Sequence, residues 1–411
     1  MNDTNPYRFF ITDDDPGTIS VLTHVLESAG HTVESTTSSV EAAGIIKTMR
    51  PDCALIDIMM PQIDGLELCR ELRKIFSSDE LKIIIVSAKP YEFDRRRAMK
   101  FGADGFLTKP INAMTFEAQV IEIIQDRLEL KFWGVRGTLP VPGPEALKYG
   151  GNTSCVTLDF PKEQFFIFDA GTGIKALSDS LLGAGKTRKD YKAFISHPHW
   201  DHINALPFFA PLYIPGNEIE VLGAGHDDVT MRELISAQMD DIYFPITIKE
   251  FGARTYFRNL NEGTFEVDKI QVKTLLLAHP GHCLGYRVEY GDRSVCYVTD
   301  NELFLPDSDS FDPFYVEKLS NFVRGTDALI TDCTYTDAEY ETKVGWGHSS
   351  IGQVVDLAHN ADVKNLYLFH HDPGQTDDDI DRKHETAVED LAKRNSSTQC
   401  LAPSEGDLVR I

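Results

Sequence analysis

Up to about residue 125 the chain switches repeatedly between short apolar runs and stretches with helical spacing. Phe9-Phe10-Ile11, Cys53-Ala54-Leu55-Ile56, Ile83-Ile84-Ile85-Val86 and Gly105-Phe106-Leu107 read as strands, and Val21 to Ala29 reads as an amphipathic helix. Strands alternating with helices predict an α/β fold, a doubly wound five-stranded parallel sheet. Thr115 to Leu130 places Phe116, Val120, Ile123, Ile124 and Leu128 close to helical spacing, so it reads as the last helix of this unit. It should run almost directly into a strand at Lys131-Phe132-Trp133. Farther on, Ala193-Phe194-Ile195-Ser196, Val295-Cys296-Tyr297-Val298-Thr299 and Leu366-Tyr367-Leu368-Phe369 read as buried strands. Ile351 to Ala358 has helical spacing. A chain of 411 residues is long enough for two or three domains, and the pattern divides it into residues 1–128 and 129–411.

Composition narrows what these units can do. No apolar stretch approaches the roughly 20 residues of a membrane span. The start, Met1-Asn2-Asp3-Thr4-Asn5, lacks the basic region and apolar core of a signal peptide. Seven scattered cysteines without a C-x-x-C pair fit a reducing compartment, so a cytoplasmic location is expected. The chain holds 40 Lys and Arg against 64 Asp and Glu, a formal charge of -24. Nucleic-acid binding draws on cations that neutralise phosphates, so the charge argues against a large nucleic acid as partner. The stretch with Gln238-Met239, Tyr243-Phe244-Pro245, Lys249, Arg254 and Arg258 reads as an insertion shaping a small pocket. The run Asp377-Asp378-Asp379-Ile380-Asp381 reads as a solvated helix start, favoured by the helix dipole.

In a doubly wound sheet, ligands sit beyond the carboxyl ends of the strands. That edge collects Asp13 and Asp14, then Asp57, Ser87 and Lys109. Three carboxylates, a hydroxyl and a lysine make a site for magnesium and a phosphoryl group. Over its whole length this unit resembles the receiver domain of two-component response regulators. The resemblance implies Asp57 as phosphoacceptor, magnesium bound by Asp14 with Asp13, Asp57 and the Met59 carbonyl, and Ser87 and Lys109 holding the phosphoryl group. It also implies a cis Lys109-Pro110 bond, Phe106 as the aromatic switch that turns inward on phosphorylation, matches at Pro61 and Gly65, and a sensor histidine kinase as partner. Receivers commonly dimerise, so a homodimer is expected.

The second unit carries the densest chemistry. His197-Pro198-His199-Trp200-Asp201-His202 follows the strand ending near Ser196 and offers three imidazoles and a carboxylate, donors that suit zinc, manganese and iron. The pattern resembles the metallo-β-lactamase fold superfamily over roughly residues 130–411, and more narrowly the phosphodiesterase branch with tRNase Z and the phosphoribosyl cyclic-phosphate phosphodiesterases. The resemblance implies an αββα sandwich and two metals: one on His197, His199 and His279, the other on Asp201, His202 and His370, with Asp300 between them. His279 stands six residues before Gly285-Tyr286-Arg287, as in that branch. His282 stands where other branches place the ligand, and His371 adjoins His370. Neighbours on a strand face opposite ways, so only one of the latter pair can face the metals.

The same resemblance makes His348 of Gly347-His348-Ser349 the residue that handles a proton at the scissile phosphate, where a departing alkoxide needs an acid. Ser349 as a plain helix cap is the alternative. Asp169 matches a carboxylate that orients a ligand histidine, and Asp201 counts among the catalytic residues. Arg136 and Asn152, in glycine-rich segments, are candidates for phosphate contact, with tight turns as the alternative role of those segments. The whole chain then reads as a phosphorylation-regulated response regulator. Its output is a binuclear metal-dependent phosphodiesterase (zinc, or else manganese or iron) acting on a small phosphodiester such as a cyclic nucleotide or dinucleotide. The alternatives are a metal-site sensor without turnover, and a hydrolase of a lactam or thioester.

Overall fold

In the first unit β1 (Arg8–Thr12), β2 (Thr32–Thr36), β3 (Cys53–Asp57), β4 (Lys82–Ser87) and β5 (Gly105–Thr108) form one sheet in the order β2-β1-β3-β4-β5. Every ladder in it is parallel. Both β3 and β4 are buried along their whole length, as strands covered on two sides must be. Alternation sends Phe10, Ile56 and Ile85 to one face, against Leu68 and Leu72, and Phe9, Leu55 and Ile84 to the other, against Leu22 and Val120. The doubly wound α/β sheet expected from the apolar runs is the one observed. The Lys109-Pro110 bond is cis, as the resemblance implied.

The computed structural model describes residues 6–411 apart from 79, 89–90, 126–127, 162–163, 185–189 and 243. The Met1–Asn5 start and Tyr243 of the proposed pocket therefore lie outside the described residues. Two compact units emerge, residues 1–127 and 128–411. The helix expected over 115–130 is shorter, Phe116–Ile124. Residues 126–127 of that connection lie outside the described residues. Leu128 belongs to the core of the second unit and not to a helix face. Its carbonyl accepts from Ile411 N at 2.9 Å, so sheet pairing claims the segment that helical spacing also fitted.

The second unit opens on β6 (Glu129–Gly134), β7 (Cys155–Asp159), β8 (Phe165–Phe168), β9 (Asp190–Ile195), β10 (Glu218–Gly223) and β11 (Arg254–Asn259). It continues with β12 (Gly263–Val267), β13 (Ile270–Leu276), β14 (Leu284–Tyr290), β15 (Arg293–Val298), β16 (Ala328–Asp332), β17 (Asn365–Phe369), β18 (Gln399–Leu401) and β19 (Leu408–Arg410). One sheet runs β11-β10-β9-β8-β7-β6-β19, the other β12-β13-β14-β15-β16-β17-β18. Phe132, Phe166, Phe168 and Phe194 from the first meet Tyr286, Tyr297, Tyr367 and Phe369 from the second in a shared core. Outside the first sheet pack helices Gly173–Gly183 and Met231–Ala237, and outside the second Pro313–Val323, Ile351–Asn360 and Asp377–Lys393. This is the expected αββα sandwich.

The stretch read as a pocket-forming insertion, from Gln238 to Arg258, ends in β11; Met239 within it is buried, and Arg254 pairs with Glu218 at 3.3 Å. Among the described residues no helix is long and apolar enough to cross a membrane.

Candidate metal centre

Pairs of parallel strands bring the site together, because parallel neighbours end on the same edge. In the first sheet β8 and β9 are parallel, and in the second so are β15, β16 and β17. Asp169 follows β8, the His197–His202 motif follows β9, Asp300 follows β15, Asp332 ends β16 and His370 follows β17. Asp169, Asp300 and His370 all adopt positive φ, at 59°, 36° and 58°. Left-handed backbone is costly for residues other than glycine and concentrates at functional sites.

One group of donor atoms, from His197, His199, His279 and Asp300, lies within 4.8 Å of one another, and so does a second, from Asp201, His202 and His370. Asp300 is shared between them. Its Oδ2 faces His197 Nε2 at 3.6 Å and His279 Nε2 at 3.7 Å. Its Oδ1 faces His202 Nε2 at 3.2 Å and His370 Nε2 at 3.1 Å. His202 and His370 lie 3.1 and 3.2 Å from Asp201 Oδ2 through the same nitrogens. Among the described residues, His197 Nε2 and His202 Nε2 are buried and make no well-aligned hydrogen bond, the carboxylates beside them being close but not in hydrogen-bond geometry. A buried polar nitrogen left so is costly unless something else binds it, and a metal fits this donor set.

Further hydrogen bonds hold the His202 and His279 rings and the Asp201 carboxylate. Asp169 Oδ2 accepts from His202 Nδ1 at 2.7 Å and from Tyr297 Oη at 2.8 Å, and Asp169 Oδ1 from Ser196 N at 2.7 Å. His279 Nδ1 donates to the Gly347 carbonyl at 2.8 Å. Asp201 Oδ2 accepts from Thr138 N at 2.7 Å. Such partners fix tautomer and ring direction. Tyr286, from the Gly-Tyr-Arg run, donates to the Ile195 carbonyl at 2.6 Å and so braces the end of β9.

Burial lowers the pKa of His197, His199 and His279, which keeps them in the neutral form that binds metal. Burial opposes ionisation of Asp201 and Asp300 too, but His202 and His370 outweigh it and hold both carboxyls below the usual range.

His348 stands beside this cluster, its ring 5.0 Å from His370 and 5.3 Å from His279. Its Nδ1 donates to Asp332 Oδ2 at 2.7 Å. Burial alone would lower its pKa, yet Asp332, then Asp300 and Asp201, raise it to about 9. Asp332 was not singled out from the sequence, although it closes an apolar run as Asp300 does. Thr334, also missed, donates to Asp332 Oδ1 at 2.7 Å and lies 3.2 Å from His370 Nδ1. Ser349 does not cap the following helix: its Oγ donates to the Asn301 carbonyl at 2.5 Å, and Ser350 with Gln353 forms the capping box.

His282 lies outside the cluster, exposed and 3.2 Å from the Gly225 carbonyl through Nδ1. His371 is fully buried beside Tyr149 and contributes to none of the donor groups; both histidines lie past the end of β17, where His370 has left-handed backbone, so strand alternation does not govern the pair. Arg136 and Asn152 are engaged within the fold. Arg136 is buried and donates to the carbonyls of Gly150 at 3.0 Å and Gln375 at 2.5 Å, while Asn152 Nδ2 donates to Glu405 at 2.7 Å.

At the carboxyl edge of the first sheet, Lys109 Nζ donates to Asp13 Oδ2 at 2.7 Å and to Asp57 Oδ1 at 2.6 Å. Met59 N donates to Asp57 Oδ2 at 2.6 Å. Asp13, Asp57 and Ser87 are buried and Asp14 is exposed. Burial raises the Asp13 pKa, so a cation beside it would offset that cost. Gly65 is required here, since a Cβ on it would lie 1.9 Å from the Asp57 carbonyl oxygen. Phe106 already lies inward, 8% exposed, so its side chain need not swing in from solvent.

Comparison with known proteins agrees with both halves. Residues 9–121 match the response regulator receiver domain, and residues 165–371 match the beta-lactamase superfamily domain. Response regulator MprA of Mycobacterium sp. (strain KMS) is 38% identical over 105 residues, 26% of this chain and 45% of that protein. The alkaline phosphatase synthesis transcriptional regulatory protein PhoP of Bacillus subtilis (strain 168) is 30% identical over 118 residues, 29% of this chain and 48% of that one. The chain thus spans less than half the length of these relatives. The solved metallo-beta-lactamase fold protein YhfI from Bacillus subtilis aligns with 70% of this chain and 100% of its own, at 18% identity and a TM-score of 0.50. Sheet order, strand-end ligands and these matches lead to one placement: the chain belongs to the beta-lactamase superfamily and carries a response regulator receiver domain ahead of its metallo-β-lactamase fold.

Proposed function

We propose that this protein is a phosphorylation-regulated response regulator whose output unit is a binuclear metal-dependent phosphodiesterase acting on a small phosphodiester, such as a cyclic nucleotide or dinucleotide. The observation that carries the reading is the division of Asp300, one oxygen toward His197 and His279 and the other toward His202 and His370. His197, His199 and His279 would hold one metal, Asp201, His202 and His370 the other, and Asp300 both. Zinc suits this set, with manganese and iron as alternatives. Two such metals would supply Lewis acidity toward a phosphoryl oxygen and lower the pKa of a bound water toward neutrality.

The chain's own residues do the rest. Asp169 holds the His202 ring, Gly347 the His279 ring and Thr138 the Asp201 carboxylate. His348, kept protonated by Asp332, donates to the departing alkoxide. In the receiver, Asp57 accepts a phosphoryl group from a sensor histidine kinase. Magnesium is held there by Asp13, Asp14, Asp57 and the Met59 carbonyl, with Ser87 and Lys109 on the phosphoryl group. A cytoplasmic homodimer is the form expected to respond.

Metal analysis combined with rates on bis-p-nitrophenyl phosphate, nitrocefin and a thioester tests the reading. The expected result is two transition metals per chain and preference for the phosphodiester. Asp201→Ala or His199→Ala should abolish turnover and lower metal content. Near-wild-type turnover in either variant would overturn the assignment.

A further inference from the structure

Glu302 is a buried carboxylate for which the reaction has no direct use, 2% exposed and two residues beyond Asp300. Its Oε1 accepts from Gly345 N at 2.7 Å and from Tyr340 Oη at 2.8 Å, and its Oε2 accepts from Gly347 N at 2.7 Å. Its own backbone N donates to the Ala278 carbonyl at 2.9 Å, one residue before His279. The Gly347 carbonyl in turn receives His279 Nδ1. Both glycines take left-handed φ, 84° at Gly345 and 86° at Gly347, and a Cβ on Gly347 would lie 2.4 Å from His279 Nδ1. The backbone on either side of Trp346 is therefore fixed and tied to a metal ligand.

Between these anchors Trp346 is 58% exposed, with Lys343 Nζ 3.8 Å from its ring centroid. A single exposed indole is ordinary. One clamped on both sides by a buried acid, beside a ligand and carrying a cation, is preorganised for binding. A second exposed indole, Trp200 at 81%, stands between His199 and Asp201 in the metal motif. Planar aromatic surface with a nearby cation suits a group that is itself flat and attached to phosphate.

We propose that Trp346, presented by Glu302, is the stacking platform for the base of a nucleotide phosphodiester, the base taking the ring face opposite the one that Lys343 Nζ covers. This rests on the phosphodiesterase reading and names its substrate class. Trp346 sets specificity, and Glu302 is a positioning residue that acts through the backbone it holds.

The test compares kcat/KM for adenosine cyclic monophosphate with that for glycerol cyclic phosphate, which has no base. Trp346→Ala should lower this ratio by about 5-fold or more, the scale of a lost base–aromatic stack. Trp346→Phe should keep most of the preference, and Glu302→Gln should reduce it. An unchanged ratio in Trp346→Ala overturns the proposal. Binding is read separately by quenching of indole emission with adenosine monophosphate, expected in the wild type and diminished in Trp346→Phe. Absence of quenching also overturns the platform. Quenching without turnover of either substrate overturns the phosphodiesterase reading and leaves the platform standing.

Discussion

His348 Nδ1 donates to Asp332 Oδ2 at 2.7 Å, while His348, Asp300 and His370 also offer donor atoms within 4.8 Å of one another, so proton handling and metal holding have to be separated by experiment. Replacing His348 by alanine should leave metal content intact and cut turnover by roughly 100-fold or more, the usual scale of lost acid–base help. Loss of metal in that variant would instead make His348 a ligand. Asp332→Asn keeps the shape of the pair but removes the charge that raises the His348 pKa, and should cost about 10- to 100-fold in activity. The motif residues were legible because they cluster at the ends of apolar runs, where sequence spacing and spatial position coincide. Thr334 and Glu302 were not, because what marks them is a partner far along the chain, Glu302 meeting Gly347 across 45 residues; Asp332 closes an apolar run as Asp300 does, but only its contact with His348, 16 residues on, sets it apart. Arg136 misled for the same reason, since its partners Asp372 and Gln375 lie more than 230 positions away.

Strands and loops impose their own tolerances on the site. A Cβ on Gly137, just after β6, would lie 2.1 Å from His370 Cε1. Gly137→Ala should therefore displace a ligand ring from a distant strand, lowering bound metal measured after gel filtration while circular dichroism stays native. Unchanged metal content would mean that the loop carrying Gly137 yields. Element by element, the strands ending at Ile195, Val298 and Phe369 were readable because buried strands leave continuous apolar runs. The end of the helix at Ile124 was not, because Leu128 and Leu130 satisfy helical spacing as well as they satisfy burial in a sheet.

At the scale of the whole molecule, the receiver edge gathers buried carboxylates around a lysine, with Lys109 within 2.7 Å of both Asp13 and Asp57. Beryllofluoride with magnesium should change phosphodiesterase rate or oligomeric state, with Asp57→Ala unresponsive. A coupling of about 1–3 kcal/mol corresponds to a change of about 5- to 150-fold. Identical rates and identical oligomeric state in both conditions would leave the receiver to govern location or partners instead. The first strand of the second unit, β6, pairs antiparallel with its last, β19, through Leu130 opposite Val409. Domains emerging from the ribosome tend to fold from the amino end, so the receiver can complete its sheet while this unit still waits for its final residues. Removing residues 408–411 should leave β6 as a bare edge and drive the protein toward aggregation, while the receiver retains its cooperative melting transition. Because Ile411 N reaches the Leu128 carbonyl at 2.9 Å, a circular permutant of this unit joined there and opened at an exposed loop should fold and bind metal.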